Sequence, residues 1–513
     1  MQVSKKTFML LLLVFGTAIH QVWAFCGFYV AKAGAELFNN KSQVIIVRDG
    51  NKNVITMAND FKGDAKDFAM VVPVPVVLKK EDIKVVYKTL FDKLDAYSAP
   101  RMVEYYDENP CEPRVYKMER AMANVMTDSD MAAPMEAEVK KDYKVTIEAK
   151  YSVEEYDILI LSAKESSGLK NWLTDNGYSI PAKAEEVLDP YIKSNLKFFV
   201  VKVNMEKMKG LTDGYLRPLQ IRFEHEKFML PIRLGMANAN GEQDMIVYAF
   251  TKNGRVETTN YRTVKVPSDR NIPMYVQQRF DKFYGDLFTK SYKREEKNAV
   301  FVEYAWNLSP YNYLKCDPCV GEVPDYSDMI TAGVDWLKSG NGINNSASVF
   351  FTRLHVRYTR DKFPQDLMFM ETPNMENFQG RYIITHPAKG DLKCDEGQKY
   401  LTDLRNRRQR ENMELAALTG WNVNKYAYYV EEFDDLIKNK KDIPVKQDPT
   451  IDTVPAEEEY TVPAVFDGPG SGNNNRPNSK WGLIFYISLG VLLLLSAFNL
   501  WQVLTRGQKR HAV

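Results

Sequence analysis

The sequence is poor in the residues on which most enzymes and metal sites depend. Only five of its 513 residues are histidine, and His511 stands two residues before the C-terminus. No Gly-x-Ser-x-Gly, His-Glu-x-x-His, phosphate-binding loop or dinucleotide fingerprint occurs in it. These absences argue against hydrolase, zinc-peptidase and nucleotide chemistry, and we predict no cofactor.

The chain also lacks an excess of charge of either sign and any repeat of fixed period. Its 68 Lys and Arg residues balance 67 Asp and Glu residues, which leaves a net charge of +1. No basic surface for nucleic acid is therefore expected. Aromatic residues make up 12% of the chain, which favours a β-rich domain over a helical bundle.

One long uncharged run, residues 481–505, predicts a single transmembrane helix. Trp481 and Trp501 stand near its ends, where indole rings prefer the level of the lipid headgroups. The basic residues of the tail, 506–513, predict a cytoplasmic C-terminus. We therefore expect a single-pass protein of the cell membrane whose bulk lies on the periplasmic or extracellular side.

The N-terminus has the pattern of a secretory signal peptide, residues 1–24. Two lysines precede an apolar run that is too short for a stable span, and cleavage is expected between Ala24 and Phe25. Residues 446–480 are rich in Pro, Glu, Gly and Asn, and they predict a disordered linker to the membrane helix.

The exported stretch, 25–445, is long enough for one large or two ordinary domains. An Asp-Gly turn between the apolar runs 44–47 and 54–57 predicts a β-hairpin. Residues 68–77 predict a strand that runs into an edge or extended segment, because their two prolines exclude a long central strand. Residues 81–94 have helical spacing, and 219–266 is typical of a β-meander. Together these patterns predict an α+β fold, with antiparallel sheets and a few packed helices.

The composition shifts at residues 118–135, where Met recurs every four or five residues. Thioether clusters can bind Cu(I). Because no His or Cys accompanies them, a flexible insert is the better interpretation. The segment is also the expected boundary between an N-terminal portion, 25–140, and a main α+β domain, 141–445.

All five cysteines fall in the exported part: Cys26, Cys111, Cys316, Cys319 and Cys394. An oxidising compartment makes disulfides the default, and an odd number leaves their connectivity open. Cys316 and Cys319 have the spacing of a redox dithiol, but the residues around them are typical of a loop, which favours a structural role. Zinc would need a fourth ligand that the sequence does not offer.

Arg353, His355 and Arg357 alternate along a predicted strand, 349–359, and therefore share one face. Such a cationic stripe can bind a carboxylate or phosphate group. The favoured alternatives are a solvated face and a buried stripe neutralised by Asp and Glu from neighbouring strands. The Glu-His-Glu cluster at 224–226 is interpreted as exposed charges at a turn, since consecutive residues of a strand cannot converge.

Several of these stretches together resemble a family of exported bacterial proteins known as domain of unknown function 2330. The motifs are Cys26-Gly27-Phe28, VVPVP at 71–75, LDAYSAP at 94–100, YDI at 156–158 through LSA at 161–163, WL at 172–173 through NGY at 176–178, LPIRLG at 230–235, CDPC at 316–319 and RLHVRY at 353–358. The resemblance covers most of residues 25–400, without the Met-rich segment. It implies an exported α+β domain, often with a C-terminal membrane helix, and it implies no activity.

Our leading hypothesis is a non-enzymatic, membrane-tethered exported protein that binds another protein or an envelope component. The alternative is an exported thiol–disulfide redox enzyme that uses Cys316 and Cys319. That alternative predicts that the two cysteines pair with each other, exposed and beside a helix N-terminus.

Overall fold

The computed structural model describes residues 28–32, 38–39, 42–58, 61–62, 69–112, 145–176, 178–179, 184–208, 216–237, 241–309, 313–340, 342–344 and 346–432. Contacts divide the chain into two compact units, 1–466 and 467–513, and every described residue lies in the first. Several predicted features lie outside the described residues: the signal peptide with its cleavage point between Ala24 and Phe25, Cys26, the Met-rich segment, the linker and the membrane helix. Within these ranges, no helix is long and apolar enough to cross a membrane.

The described part of the chain alternates strands with short helices. The helices are α1 (Thr89–Ser98), α2 (Ser166–Asp175), α3 (Ala184–Lys193), α4 (Met205–Met208), α5 (Phe280–Arg294), α6 (Tyr326–Ala332) and α7 (Asp395–Thr419). The strands are β1 (Phe28–Lys32), β2 (Phe38–Asn39), β3 (Ser42–Asp49), β4 (Lys52–Ala58), β5 (Phe61–Lys62), β6 (Ala69–Val74), β7 (Ile83–Val85), β8 (Arg101–Tyr106), β9 (Val145–Val153), β10 (Tyr156–Ala163), β11 (Tyr178–Ser179), β12 (Lys197–Val203), β13 (Leu219–Glu224), β14 (Met229–Leu230), β15 (Gln243–Thr251), β16 (Val256–Thr258), β17 (Arg262–Lys265), β18 (Arg270–Asn271), β19 (Ala299–Asn307), β20 (Lys338–Ser339), β21 (Gly342–Ile343), β22 (Phe350–Tyr358), β23 (Leu367–Glu371), β24 (Phe378–Gln379) and β25 (Arg381–His386).

Two large sheets form the centre of the fold. One has the strand order β11-β1-β6-β12-β10-β9, and the other runs β17-β19-β22-β15-β3-β4-β13-β7 with β24 beside β19. One face of each sheet contributes to a shared apolar core, to which β22 adds Leu354, Val356 and Tyr358. Because side chains alternate along a strand, the residues between them point to the opposite face.

Helices cover the outer faces of both sheets. α2 and α3 pack on the six-stranded sheet, where Trp172 and Leu188 are buried. α1 and α6 cover one part of the larger sheet through residues such as Phe91 and Met329. α5 and α7 cover another part of it through residues such as Phe288 and Leu415. The result is a layered α+β fold, as predicted, with the layer order α/β/β/α.

The six-stranded sheet is antiparallel in all its described pairings, as predicted. The larger sheet is mixed, because β15 pairs in parallel with β3 and β17 pairs in parallel with β19. The predicted meander over 219–266 is wrong. β13 pairs with β4 and β7, while β15 lies between β3 and β22, so neighbours in sequence are separated in space.

The local predictions had different outcomes. The hairpin is confirmed as β3 and β4, with Gly50 at a φ of +58° in the turn. The helix predicted at 81–94 is wrong in its first half, because Ile83 lies in β7 and the helix begins at Thr89. The strand with two prolines is confirmed as β6, which ends at Val74 and runs into residues without regular strand structure, and it lies between β1 and β12 in its sheet. Pro73 pairs with Phe198 of β12.

Strands from both sides of residue 140 enter each large sheet. β3 and β4 pair with β15 and β13, and β6 pairs with β12. The two portions separated in the sequence analysis therefore build common sheets.

Candidate functional site

The cationic stripe of β22 faces the helix layer and is buried. Arg353 is 0%, His355 1% and Arg357 8% exposed. β22 lies between β19 and β15, so both neighbouring strands can present side chains to the stripe. Of the arrangements considered from the sequence, the structure has the buried stripe neutralised by carboxylates.

Glu303 of β19 is the central carboxylate. The pairing of β19 with β22 shifts between Val302 and Tyr304, so Glu303 is an extra residue in its strand. Such a bulge re-aims side chains. Glu303 Oε2 accepts a hydrogen bond from Arg353 Nε at 2.6 Å, and Glu303 Oε1 lies 2.7 Å from His355 Nδ1. The hydroxyl of Tyr284 in α5 also donates to Oε1 at 2.6 Å.

Asp244 of β15 neutralises the other end of the stripe. Arg357 donates to its two oxygens through Nε at 2.9 Å and Nη2 at 2.8 Å, which is the bidentate geometry that guanidinium and carboxylate prefer. His355 Nε2 lies 3.1 Å from Asp244 Oδ1. The imidazole therefore bridges two carboxylates, one on each neighbouring strand.

A third carboxylate comes from α1. Arg353 Nη1 donates to Asp95 Oδ1 at 2.6 Å, and the Tyr248 hydroxyl donates to the same oxygen at 2.8 Å. Asp95 belongs to the LDAYSAP motif and Arg353 to the RLHVRY motif, so these two stretches meet at an ion pair. Three potential cations thus face three carboxylates, which we call the charge network (Asp95, Asp244, Glu303, Arg353, His355, Arg357).

The charges in this network shift one another's pKa values. Burial disfavours protonation of His355, but Glu303 and Asp244 outweigh it and raise the pKa of this histidine. Burial disfavours ionisation of Glu303, but His355 and Arg353 outweigh it and lower its pKa to about 2. The pKa of Asp244 is lowered by Arg357 and His355 against the same burial. His355 is further held by the ring of Phe288, stacked at 3.8 Å.

Binding of an external anion, which the stripe suggested, does not fit this arrangement. The positions that an anion would take beside Arg353 and Arg357 are occupied by Asp95, Glu303 and Asp244. The network instead joins α1 and α5 to the sheet. Its chemistry is that of a buried structural network.

We expect the charge network to make stability depend on pH above neutrality. The folded pKa of His355 lies above its unfolded value of about 6.5, so its contribution is complete below that pH and is lost as pH rises through the folded pKa. Urea unfolding from about pH 6 to 9 should give a free energy of unfolding that falls with pH in the natural protein and falls less in His355→Gln. Parallel pH profiles would contradict this role.

The CDPC motif forms a loop that is closed by its own disulfide. Cys316 is bonded to Cys319, with their Cα atoms 4.9 Å apart. Cys111 is bonded to Cys394 in a second disulfide, across a sequence separation of 283 residues. The pairing expected for a redox dithiol is therefore present. Cys316 is buried and Cys319 is half-buried.

The buried side chain of Arg101 donates hydrogen bonds to the backbone of this loop. It is 5% exposed and donates from Nη1 to the carbonyl oxygens of Pro318 at 3.3 Å and Val320 at 3.5 Å. Nη2 donates to the Tyr97 carbonyl, and the guanidinium lies 5.5 Å from the centre of the Tyr304 ring. Burial lowers the pKa of Arg101. Among the described residues, no carboxylate pairs with it.

Other contacts fasten the loop from its sides. Asp317 accepts hydrogen bonds from the Tyr105 hydroxyl at 2.6 Å and from Arg381 Nη1 at 3.0 Å. The hydrogen bond from Tyr105 lowers the pKa of Asp317, helped by Arg381. The Tyr313 hydroxyl lies 3.8 Å from both cysteine sulfurs. Polar contacts thus fasten the loop, while its two cysteines pack against an apolar cluster.

The expected neighbouring helix N-terminus is not found in the described structure. The next helix, α6, begins at Tyr326, and Gly321 instead lies against the backbone of Ala96 near the C-terminal end of α1. Its φ is +81°, and an added Cβ would stand 3.0 Å from the Ala96 carbonyl. The loop can pack this closely because residue 321 is glycine.

Exposed apolar side chains stand near the disulfide in sequence or on the strand that contacts its loop. Leu314 is 65% exposed, Val320 40%, Val323 36% and Tyr105 39%. Three of them flank the cysteines in sequence, and Tyr105 touches the loop through Asp317. We call these four residues the apolar rim. Isolated exposed apolar residues are normal, but a group of them on one rigid loop is typical of an interaction site.

The other candidate sites from the sequence analysis offer little evidence of a function. Residues 224–226 end β13 and form a turn in which the His225 carbonyl accepts a hydrogen bond from Arg48, as expected for a turn. In the part of the chain that the structure describes, no three His, Cys, Asp or Glu side chains form a group that could hold a metal ion.

The sequence analysis missed Asp95, Asp244, Glu303, Arg101 and Tyr313. A signal existed for two of them, because Glu303 and Asp244 are lone carboxylates inside otherwise apolar strands. An ionised residue in such a strand needs a buried partner. Arg101 gave no comparable signal, since its contacts are with a loop more than 200 residues away in sequence.

Comparison with known proteins gives one family. A family model described as an uncharacterized protein conserved in bacteria, DUF2330, matches residues 21–370 of the chain. The match runs through the Met-rich segment, which the motifs had placed outside the resemblance. No curated protein and no solved structure matches the chain.

Proposed function

The chain belongs to the DUF2330 family of bacterial proteins, and we propose that it is an exported, membrane-tethered protein that binds another envelope protein through the apolar rim. The observation that carries this proposal is the rim itself, with Leu314 65% and Val320 40% exposed on a loop held by Arg101 and Asp317. A fixed loop loses little conformational entropy when a partner binds. The sequence patterns at 1–24 and 481–505 support the exported and tethered location.

The charge network supports this function indirectly. It joins α1 to the sheet through Asp95 and Arg353. The same helix ends at Ser98, three residues before Arg101, and Gly321 packs on its Ala96. The network thus fixes the helix against which the loop rests. A binding surface on a rigid support keeps its geometry between the free and the bound state.

We expect a photo-crosslinking residue at Val320 of the full chain to capture a discrete partner in intact cells. The same residue at Met413, which is 64% exposed on α7, is the matched control and should not give those adducts. Leu314→Ser combined with Val320→Ser should reduce the binding of that partner about tenfold or more, because apolar anchors dominate protein interfaces. Adducts that are identical from both positions, or unchanged by the serine substitutions, would refute the proposal.

A further inference from the structure

The apolar rim stands near a bond that can react. We propose that the Cys316–Cys319 disulfide accepts two electrons from a dithiol on the partner protein. This inference rests on the proposed function, because the rim would seat the partner's dithiol segment. It names the partner class as a protein with two neighbouring reduced cysteines flanked by apolar residues.

The two sulfurs differ in access. Cys319 is half-buried, whereas Cys316 is 3% exposed and packs in the core beneath α1 and α6. An incoming thiolate therefore reaches Cys319 Sγ, and Cys316 Sγ is the leaving group. Thiol–disulfide exchange depends on access to the attacked sulfur and on the stability of the thiolate that leaves.

The surroundings of Cys316 suit a leaving thiolate. The Tyr313 hydroxyl lies 3.8 Å from Cys316 Sγ and can donate a hydrogen bond to it. Arg101 places a buried positive charge under the same loop, and among the described residues no carboxylate pairs with that charge. A nearby cation stabilises a thiolate, as a helix N-terminus does in other redox sites. Arg101 and the Tyr313 hydroxyl are thus the two groups in contact with the loop that can favour the thiolate.

The exchange balances in two steps. A partner thiolate attacks Cys319 Sγ, the Cys316–Cys319 bond breaks, and a partner–Cys319 mixed disulfide forms while Cys316 leaves as a thiolate. The second partner thiolate then attacks the partner sulfur of that mixed disulfide and releases Cys319 as a thiolate. The partner is oxidised to a disulfide, and the two protons from its thiols reach Cys316 and Cys319.

The second disulfide of the chain provides an internal reference. Cys111 packs against the buried Leu392, Leu401 and Leu404, and Cys394 Sγ accepts a hydrogen bond from the backbone N–H of Gly397 at 3.2 Å. An added Cβ at Gly397 would stand 2.9 Å from Cys111 Sγ. Both of these cysteines are half-buried and Cys394 is the N-cap of α7, so this bond also has accessible sulfurs and a group that favours a thiolate. Its exchange should not respond to substitutions in the CDPC loop, which makes it the control for those variants.

The test uses the full chain in detergent with reduced dithiothreitol as the probe. Samples are quenched with an alkylating reagent over time, and mass spectrometry measures the labelling of each cysteine. We expect Cys316 and Cys319 to be labelled in the folded chain at a rate that rises with the dithiothreitol concentration. Labelling of Cys316 and Cys319 that appears only after the chain is unfolded in urea would overturn the inference.

Variants separate the steps. Tyr313→Phe keeps the ring and removes the hydroxyl, and it should slow the exchange about fivefold. An unchanged rate would remove this hydroxyl from the mechanism. Leu314→Ser with Val320→Ser should lose the partner, whereas Met413→Ser on the exposed side of α7 should keep both the partner and the rate with dithiothreitol. Partner binding without exchange would refute the inference alone, and exchange without rim-dependent binding would refute the proposed function alone.

Discussion

Replacing Glu303 by glutamine should be among the most destabilising single substitutions in this chain, at about 3–5 kcal/mol. Glu303 is fully buried, and its carboxylate lies within hydrogen-bond distance of Arg353, His355 and the Tyr284 hydroxyl. Glutamine keeps the size of the side chain and removes the negative charge. Arg353 then remains buried with Asp95 as its one carboxylate, and the raised pKa of His355 loses its largest electrostatic support.

Glu376→Gln is the matched control for this substitution. Glu376 also pairs with a cation, Lys265, at 2.7 Å, but its side chain is 58% exposed. Exposed ion pairs contribute about 0–1 kcal/mol. Urea unfolding of the two variants therefore tests whether burial decides the cost. Equal free energies of unfolding would mean that water reaches Glu303 and that the charge network is not sealed.

Much of the fold could be predicted from local patterns in the sequence. The hairpin of β3 and β4 follows from an Asp-Gly between two apolar runs. The end of α7 at Thr419 follows from Gly420, which has a φ of +83°. The alternation of β22 predicted that Arg353 and His355 share a face. Each of these features is decided by residues close together in the chain.

The charge network could not be assembled from the sequence, because its members come from distant segments. Arg353 meets Asp95 across 258 residues and Glu303 across 50 residues. Glu303 reaches Arg353 because β19 pairs with β22, and Asp95 reaches it from α1, which packs on the same sheet. The bulge at Glu303 is equally invisible in sequence. Nothing local to Arg353 decides whether its face meets water or carboxylates.

The contacts that the CDPC loop makes with distant residues could not be predicted from the sequence either. Its spacing suggested a redox dithiol, and its neighbours suggested a loop; both features are present in the structure. No local pattern indicates that Arg101 contacts the loop, because its partners Pro318 and Val320 lie more than 200 residues away in sequence. The group that would favour a thiolate is thus supplied by tertiary structure.

Removing the Cys111–Cys394 disulfide should cost about 2–5 kcal/mol. The bond closes a loop over a sequence separation of 283 residues and ties the start of α7 to the end of the segment that contains β8. In the chain-entropy account, a longer loop restricts the unfolded chain more and stabilises the fold more. Cys111→Ser with Cys394→Ser should therefore lower the free energy of unfolding strongly.

Cys316→Ser with Cys319→Ser is the control that the chain itself offers. This disulfide closes a loop over a separation of three residues, so the entropic contribution of the two bonds should differ by about 4 kcal/mol. Denaturant unfolding of both double variants under oxidising conditions measures the difference. If the short bridge proved as costly to remove as the long one, it would be a structural staple, and the exchange inferred for it would lose its basis. A small cost would leave the bond free to open without unfolding the domain that carries it.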